Sequence, residues 1–470
     1  MSGFYNEPAK QVKVYADVDV LVAGGGPAGF GAAYAAAKAG AKTILVEQMG
    51  CIGGIATAGV HPQMCSLVYS DTGVNTVHQE LIKRVEGEGI GQVGYRYGEC
   101  NMQFEIEGLK VLYEDMLAEV GCEILYHTMV SEPILEGGVV KGAIIESKSG
   151  RQAILAKRVV DCTADADVAA RAGVGFDQGR PEDHLVQPCT LMFRVEGVDQ
   201  PKLLEWWEAG VGFDREEASV GLDEYTVNHS HTDFDTADGR INSVWRRAVA
   251  NGDMEPFQTN LMGFWLVPSR PTQIAVNFTH ITHVDPTKAE DLTTVMITGR
   301  KQAEQTVRVM KKYVPGCENI YMADTAMLPG TRESRRIHGE YTLTVDEVLG
   351  AVKSEDGIAQ GNFFVDIHNP AGPGMYNAAS DKIYTRRKLP PGEYYDIPYG
   401  CIVPKGVENL LVGGRSISVD HEALGSTRQM WQCMMTGEAA GIASVMSIKD
   451  NVTPRNIDVQ KLRKMMRKNN

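Results

Sequence analysis

Residues 18–47, VDVLVAGGGPAGFGAAYAAAKAGAKTILVE, read as an apolar strand, a glycine turn, a small-residue helix, a second strand and an acidic end. Gly24 permits the sharp turn out of the strand 18–23, Gly26 lets backbone approach a pyrophosphate, and Gly29 lets the helix pack closely on the sheet. Pro27 suits a first helical turn and Gly40 a helix stop. Glu47 lies 23 positions after Gly24, where a carboxylate can bond ribose hydroxyls and repel a 2′-phosphate. The segment therefore predicts a parallel sheet that binds an adenine dinucleotide, with NAD and FAD both open.

The nine cysteines are an odd number, scattered and without any CxxC pair. That pattern argues against a disulfide framework, a ferredoxin-type cluster run and a paired redox-cysteine mechanism. A formal net charge of −14 disfavours nucleic acid and anionic membrane surfaces as partners. No apolar run reaches the roughly 20 residues of a membrane helix, and the first residues lack an apolar signal core. The expected location is cytoplasmic.

After Glu47, the loop GCIGGIATAGV is built of small residues that suit a bulky cofactor lying against it. Residues 106–120 predict an amphipathic helix, followed by the strand EILYHTMV and two alternating segments joined by turns at Gly137–Gly138 and Ser149–Gly150. An antiparallel meander thus interrupts the parallel sheet. Between about 176 and 395 lie Trp206, Trp207, Trp245 and Trp265 and most of the histidines, as in an inserted substrate domain. Small residues return after Leu410, where a helix is expected to start near Ser426 or Thr427 with its N-terminus towards a cofactor. Gly437, Ala439, Ala440 and Gly441 would equally serve close helix packing. A second dinucleotide fingerprint is missing, since AGVGFDQG at 172–179 has the wrong spacing. One dinucleotide site without a nicotinamide domain favours bound FAD over NAD.

Four blocks carry a family resemblance: GGGPAGFGAAYAAAKAGAKTILVE with CIGGIATAGV; VVDCTADADVAARAG; GTRESRRIHGEYTLTVDEV with VDIH; and IPYGCIVPKGVENLLVGGRSISVDHEALGSTRQMWQCMMTGEAAG. The chain resembles the FAD-dependent oxidoreductases related to the succinate dehydrogenase and fumarate reductase flavoproteins. The resemblance implies an α/β fold: a glutathione-reductase-like, Rossmann-type FAD/NAD(P)-binding domain with a β-meander insertion and an inserted α+β substrate domain. The FAD domain would comprise 17–60, 105–175 and 396–450, the substrate or cap domain 61–104 and 176–395, and a helical tail 451–470. Gly24, Gly26, Pro27, Ala28 and Gly29 would line the pyrophosphate, Glu47 the ribose, Gly53, Gly54 and Thr57 the flavin side, and Val130 the adenine. Gln48, Thr163, Gly414, Arg415, Ser426 and Arg428 complete the expected cofactor set. Two positions depart from the family pattern: Ala164 replaces the usual glycine of a TGD motif, and His338 stands where a small aliphatic residue is usual.

A flavin oxidoreductase needs a group that moves a proton and charge that orients the substrate. On a strand, Arg332, Arg336 and His338 would share a face and could hold a carboxylate, unless they form an ion-pair cluster with Glu333 and Glu340. His421 is the first choice for proton transfer, against a turn-capping role through Asp420; Tyr399, His368 and Arg415 are further candidates. His229, His231, Asp233 and Asp235 alternate as metal ligands can, but an exposed polar edge is the preferred reading and no metal is assigned. Cys51 reads as a packing residue. The expected activity is hydride transfer between flavin N5 and a small, oxygen-rich, carboxylate-type substrate; the alternative is an electron-relay subunit of a larger redox complex. Homo-oligomerisation and a redox partner protein stay open.

Overall fold

The computed structural model describes residues 3–5, 7–68, 76–96, 99–209, 240–258, 263–267, 269–373, 389–390 and 392–467. His229, His231, Asp233 and Asp235 lie outside the described residues.

Strand β1 (Lys13–Ala23) is buried from Val18 onward apart from Asp19, and its VLVA end pairs in parallel on both sides, which explains the unbroken apolar run. Its neighbours are β2 (Thr43–Val46), which pairs onward with β3 (Glu123–Leu125), and a long strand on the other side. That side begins with the meander β4 (Thr128–Glu136), β5 (Val139–Ser147) and β6 (Gly150–Asp161). Gly137 and Gly138, at φ +57° and +81°, make the two-residue turn between β4 and β5. The first half of β6 pairs with β5, while its last residues pair in parallel with β7 (Leu410–Val412). A parallel β3-β2-β1-β6-β7 core with a meander attached is the result, a mixed α/β fold of Rossmann type.

Helix α1 (Pro27–Lys38) starts at Pro27 after the Gly26 cap. It packs on α2 (Met430–Lys449), and both helices are almost wholly buried. A Cβ on Gly437 would lie 2.0 Å from the Ala28 carbonyl oxygen, and one on Gly31 would lie 2.3 Å from that of Met434. The glycines here let two backbones touch, so packing accounts for Gly437 and Gly441.

Two expectations need correction. EILYHTMV is two strands, because His127 takes a left-handed φ of +51° and separates β3, in the parallel sheet, from β4, in the meander. The late helix starts at Met430, not at Ser426 or Thr427: a single turn over Leu424–Thr427 ends in the extended Gln429 before α2 begins.

Beyond this core, a four-stranded antiparallel sheet runs in the order Gly263–Val267, Arg270–Asn277, Phe193–Glu196, Tyr321–Thr325. The long helix Ala289–Tyr313 packs on it, its Ala303, Val307 and Met310 sharing one buried apolar cluster with Phe193, Ile274 and Val276 of the sheet. A three-stranded sheet of Gln63–Val68, Glu99–Phe104 and Gly91–Arg96 shares its apolar core, including Met64, Met102 and Phe104, with α1.

Candidate functional site

The strands β1, β2, β6 and β7 end level with one another. Gly24 N donates to Val46 O, Cys162 N to Ala23 O and Gly413 N to Asp161 O, at 2.8 to 2.9 Å. The carboxyl edge of the parallel sheet therefore opens into one cleft of about 340 Å³, reaching Gly24, Glu47, Cys162 and Gly413. Ligands of open α/β sheets bind at this edge.

The cleft has a nucleotide end that fits the expected dinucleotide. A Cβ on Gly29 would lie 1.8 Å from the Gly24 carbonyl oxygen, yet one on Gly26 would meet nothing within 4 Å. Gly29 thus serves packing, and Gly26 leaves open the space a pyrophosphate needs. Pro27, Ala28, Gly54 and Gly414 line the same stretch, with Gln48 and Val130 beyond it. The Glu47 carboxylate accepts from Gly25 N at 2.6 Å and Met49 N at 2.7 Å, and burial pushes its pKa up. Gln429 and Met430, at the N-terminus of α2, also face the cleft, so a helix dipole points its positive end there.

Thr163 faces the cleft as well; its hydroxyl donates to buried Asp161 and accepts from Asp167 N at 2.9 Å. Ala164, the departure from the family pattern, holds φ at +70°. A glycine there relieves a left-handed strain of about 1 kcal/mol. Ala164→Gly is expected to raise the urea midpoint slightly with FAD affinity unchanged; a lower midpoint would contradict the strain.

At the other end the cleft is lined by His61, Thr190, Asn277, Arg332, Asp366 and His368. Arg332 is 6% exposed. Its Nη1 donates to Pro188 O at 2.8 Å, and among the described residues no carboxylate pairs with it. Burial, then the nearby Arg428, lowers its pKa to about 10, with the Asp366 carboxylate acting in the raising sense, so it stays cationic at neutral pH. Other arginines here are matched: Arg428 pairs with Asp366 at 2.7 Å, and Arg415 with Asp165 at 2.7 Å and Ser334 Oγ at 2.6 Å. His368 sets Nε2 3.4 Å from Asp366, and its buried Nδ1 has no hydrogen-bond partner among the described residues. Burial first, then Arg332, lowers the His368 pKa to about 4. Asn277 Oδ1 accepts from Thr190 Oγ1 at 3.1 Å.

The structure brings Arg332, His368, Arg415 and Arg428 to the cleft and keeps other candidates off it. His421 Nδ1 donates to Glu333 at 2.8 Å inside a buried cluster with Arg336, whose Nη2 donates to Gly179 O. His338 is exposed and faces Asp177 at 3.3 Å. Arg332, Arg336 and His338 do not form one row, because the strand there covers only Arg335–Ile337. The Tyr399 hydroxyl donates to Pro454 O, and the Ser426 hydroxyl donates to Phe363 O. Gly53, at φ +112°, and Thr57, which donates to Ile52 O, shape the loop without lining the cleft. His61, Thr190 and Asn277 escaped the sequence reading. His61 directly follows the small-residue loop, which was the available signal; Thr190 and Asn277 had none.

No curated protein matches the chain. Among solved structures, the chain is 14% identical to a geranylgeranyl bacteriochlorophyll reductase-like protein from Thermoplasma acidophilum, at TM-score 0.45, covering 97% of this chain and 84% of that one. It is 11% identical to p-nitrophenol 4-monooxygenase from Pseudomonas putida, at TM-score 0.48, covering 94% and 82%. It is 13% identical to a flavin-dependent brominase, at TM-score 0.44, covering 96% and 83%. The family model for FAD dependent oxidoreductases matches residues 19–466, with the fingerprint and the late blocks inside it, and the chain belongs to that family.

Proposed function

We propose that this FAD-dependent oxidoreductase exchanges hydride with a small, oxygen-rich substrate carrying a carboxylate. The observation that carries the reading is Arg332, a buried guanidinium on the wall of the cleft that holds the nucleotide loops, whose hydrogen-bond partner among the described residues is the Pro188 carbonyl. The carboxylate that acts on it, Asp366, is already bonded by Arg428, so the buried Arg332 charge is under-compensated, and a ligand carboxylate that supplies two parallel hydrogen bonds removes the penalty. Bound flavin supplies hydride exchange at N5. Arg332 orients the substrate through its carboxylate. His368, neutral near pH 7, offers a ring nitrogen for proton exchange and is aligned by Asp366. Phe363 and Phe364 line the cleft beside them and limit water.

Cys51, Cys65, Cys122, Cys162, Cys189, Cys317, Cys401 and Cys433 are free thiols, which suits a reducing, cytoplasmic setting. Among the described residues no helix is long and apolar enough to cross a membrane.

Holoenzyme mixed anaerobically with a panel of small hydroxy- and oxo-carboxylates tests the reading. At least one is expected to change the flavin absorbance, and Arg332→Met is expected to weaken that ligand about 100-fold while retaining FAD. The factor corresponds to about 3 kcal/mol for a lost buried charge pair. Reduction by a partner protein alone, with no response to any carboxylate, would overturn it in favour of an electron relay.

A further inference from the structure

Asn277 stands at the end of its strand, Arg270–Asn277, half-buried and on the wall of the cleft. Its neighbour Val276 turns into the apolar cluster of the four-stranded sheet, so the alternation of a strand sends the Asn277 carboxamide the other way. The Thr190 hydroxyl donates to its Oδ1 at 3.1 Å, while its Nδ2 has no acceptor among the described residues. A carboxamide held by its oxygen presents two N–H groups elsewhere.

The chain that holds Asn277 also holds Arg332. Segment 188–190 runs antiparallel to 330–332: Thr190 and Gly330 exchange backbone hydrogen bonds of 3.1 and 2.7 Å, Cys189 Sγ lies 3.9 Å from Thr331 Oγ1, and Pro188 O accepts from Arg332 Nη1 at 2.8 Å. From Pro188 to Thr190 the chain spans at most about 7 Å. One small molecule can therefore reach both side chains. Charge limits what that molecule is. At this end of the cleft Arg332 and Arg428 accompany the carboxylate of Asp366, which Arg428 already bonds at 2.7 Å, and His61 and His368 are neutral near pH 7. One positive charge is left over, beside one neutral donor.

We propose that Asn277 is a specificity-determining residue that donates to a second, uncharged oxygen of the substrate, so that the cleft selects a short hydroxy- or oxo-monocarboxylate over a plain carboxylate or a dicarboxylate. The inference rests on the carboxylate reading of Arg332. Arg332 takes the carboxylate, and the Asn277 amide bonds a hydroxyl or carbonyl oxygen one or two carbons away. A second carboxylate in that place brings a charge that no unmatched cation among the described residues meets. An analogue without the oxygen leaves the amide N–H groups unpaired, and that loss is the source of the discrimination.

Calorimetric titration of anaerobic, FAD-loaded protein at pH 7 compares matched acids: propionate with lactate and pyruvate, and butyrate with 3-hydroxybutyrate, acetoacetate and succinate. At least one oxygenated monocarboxylate is expected to bind tenfold or more tightly than its parent acid, with succinate no tighter than butyrate. In Asn277→Ala the advantage is expected to vanish while the parent acid binds within about threefold of wild type, the size of a lost neutral hydrogen bond being about tenfold. Asn277→Asp keeps the shape and the Thr190 bond but loses both donors, so it is expected to abolish the preference for oxo acids even if the alanine variant fails to fold. Wild type that binds no oxygenated acid better than its parent, or succinate best of all, overturns the proposal. So does an advantage that survives in Asn277→Ala, or an oxo-acid advantage that survives in Asn277→Asp. Protein that binds none of these acids overturns the Arg332 reading itself, and the role of Asn277 falls with it.

Discussion

Acidifying the protein from pH 7 to pH 5 is expected to remove several kcal/mol of stability. Burial is the first cause holding four histidines neutral: His61, His78 and His368 at about 4 and His280 at about 3, against 6.5 for a free imidazole. Their folded pKa values are depressed, so below 6.5 the unfolded chain binds protons that the folded chain refuses. Stability therefore falls as pH drops from 6.5 towards 4. Each site contributes a slope of up to about 1.4 kcal/mol per pH unit, and four of them over roughly 1.5 units approach 8 kcal/mol. Buried Glu47 and Asp161, with raised pKa values, act in the opposite sense and reduce the total. Since a domain is stable by about 5–15 kcal/mol, even half of that loss is large. Urea midpoints at pH 7, 6 and 5 measure it; a midpoint that does not fall would contradict the neutral burial of these rings. His78→Asn is expected to flatten the dependence by close to one proton.

The second large effect concerns Glu333, which is fully buried and accepts from Arg336, from His421 Nδ1 at 2.8 Å and from Gln187 N at 3.0 Å. Replacing Glu333 with Leu leaves a buried guanidinium uncompensated, and the expected loss is about 3–5 kcal/mol. Adding Arg336→Met removes the stranded charge and is expected to recover about half. Urea unfolding of the two single variants and the double variant gives the coupling. Strict additivity would show that Glu333 and Arg336 do not depend on one another. The same cluster explains why His421, in an attractive loop before α2, is a structural partner of Glu333 instead of a residue of the cleft.

The nucleotide half was legible because its signals are local. A turn at Gly24, Pro27 at a helix start, Gly137–Gly138 in a hairpin and an acid at the end of β2 each express backbone geometry within a few residues. The Arg332 end of the cleft was less legible. Alternation over RESRRIH suggested a shared face, but only three residues there pair as a strand, with Phe176–Gln178, so the arginines diverge. Asn277 and Thr190 reach the cleft from the four-stranded sheet and its approach, and a bridge between Thr190 and Gly330 sets the Arg332 loop beside them. Nothing near Asn277 in sequence announces that.

By itself, the sequence determined a Rossmann-type sheet, a meander, FAD as cofactor and membership of an oxidoreductase family, because each follows from short-range patterns or a chain-long resemblance. Only the tertiary structure decided which charges are matched. His421 finds Glu333 across 88 positions, and Arg332, among the described residues, finds a hydrogen bond to a carbonyl across 144 but no carboxylate in contact. Whether a buried charge meets a counter-ion depends on segments brought together from afar, and the free energy of that meeting separates a structural ion pair from a residue poised for a ligand.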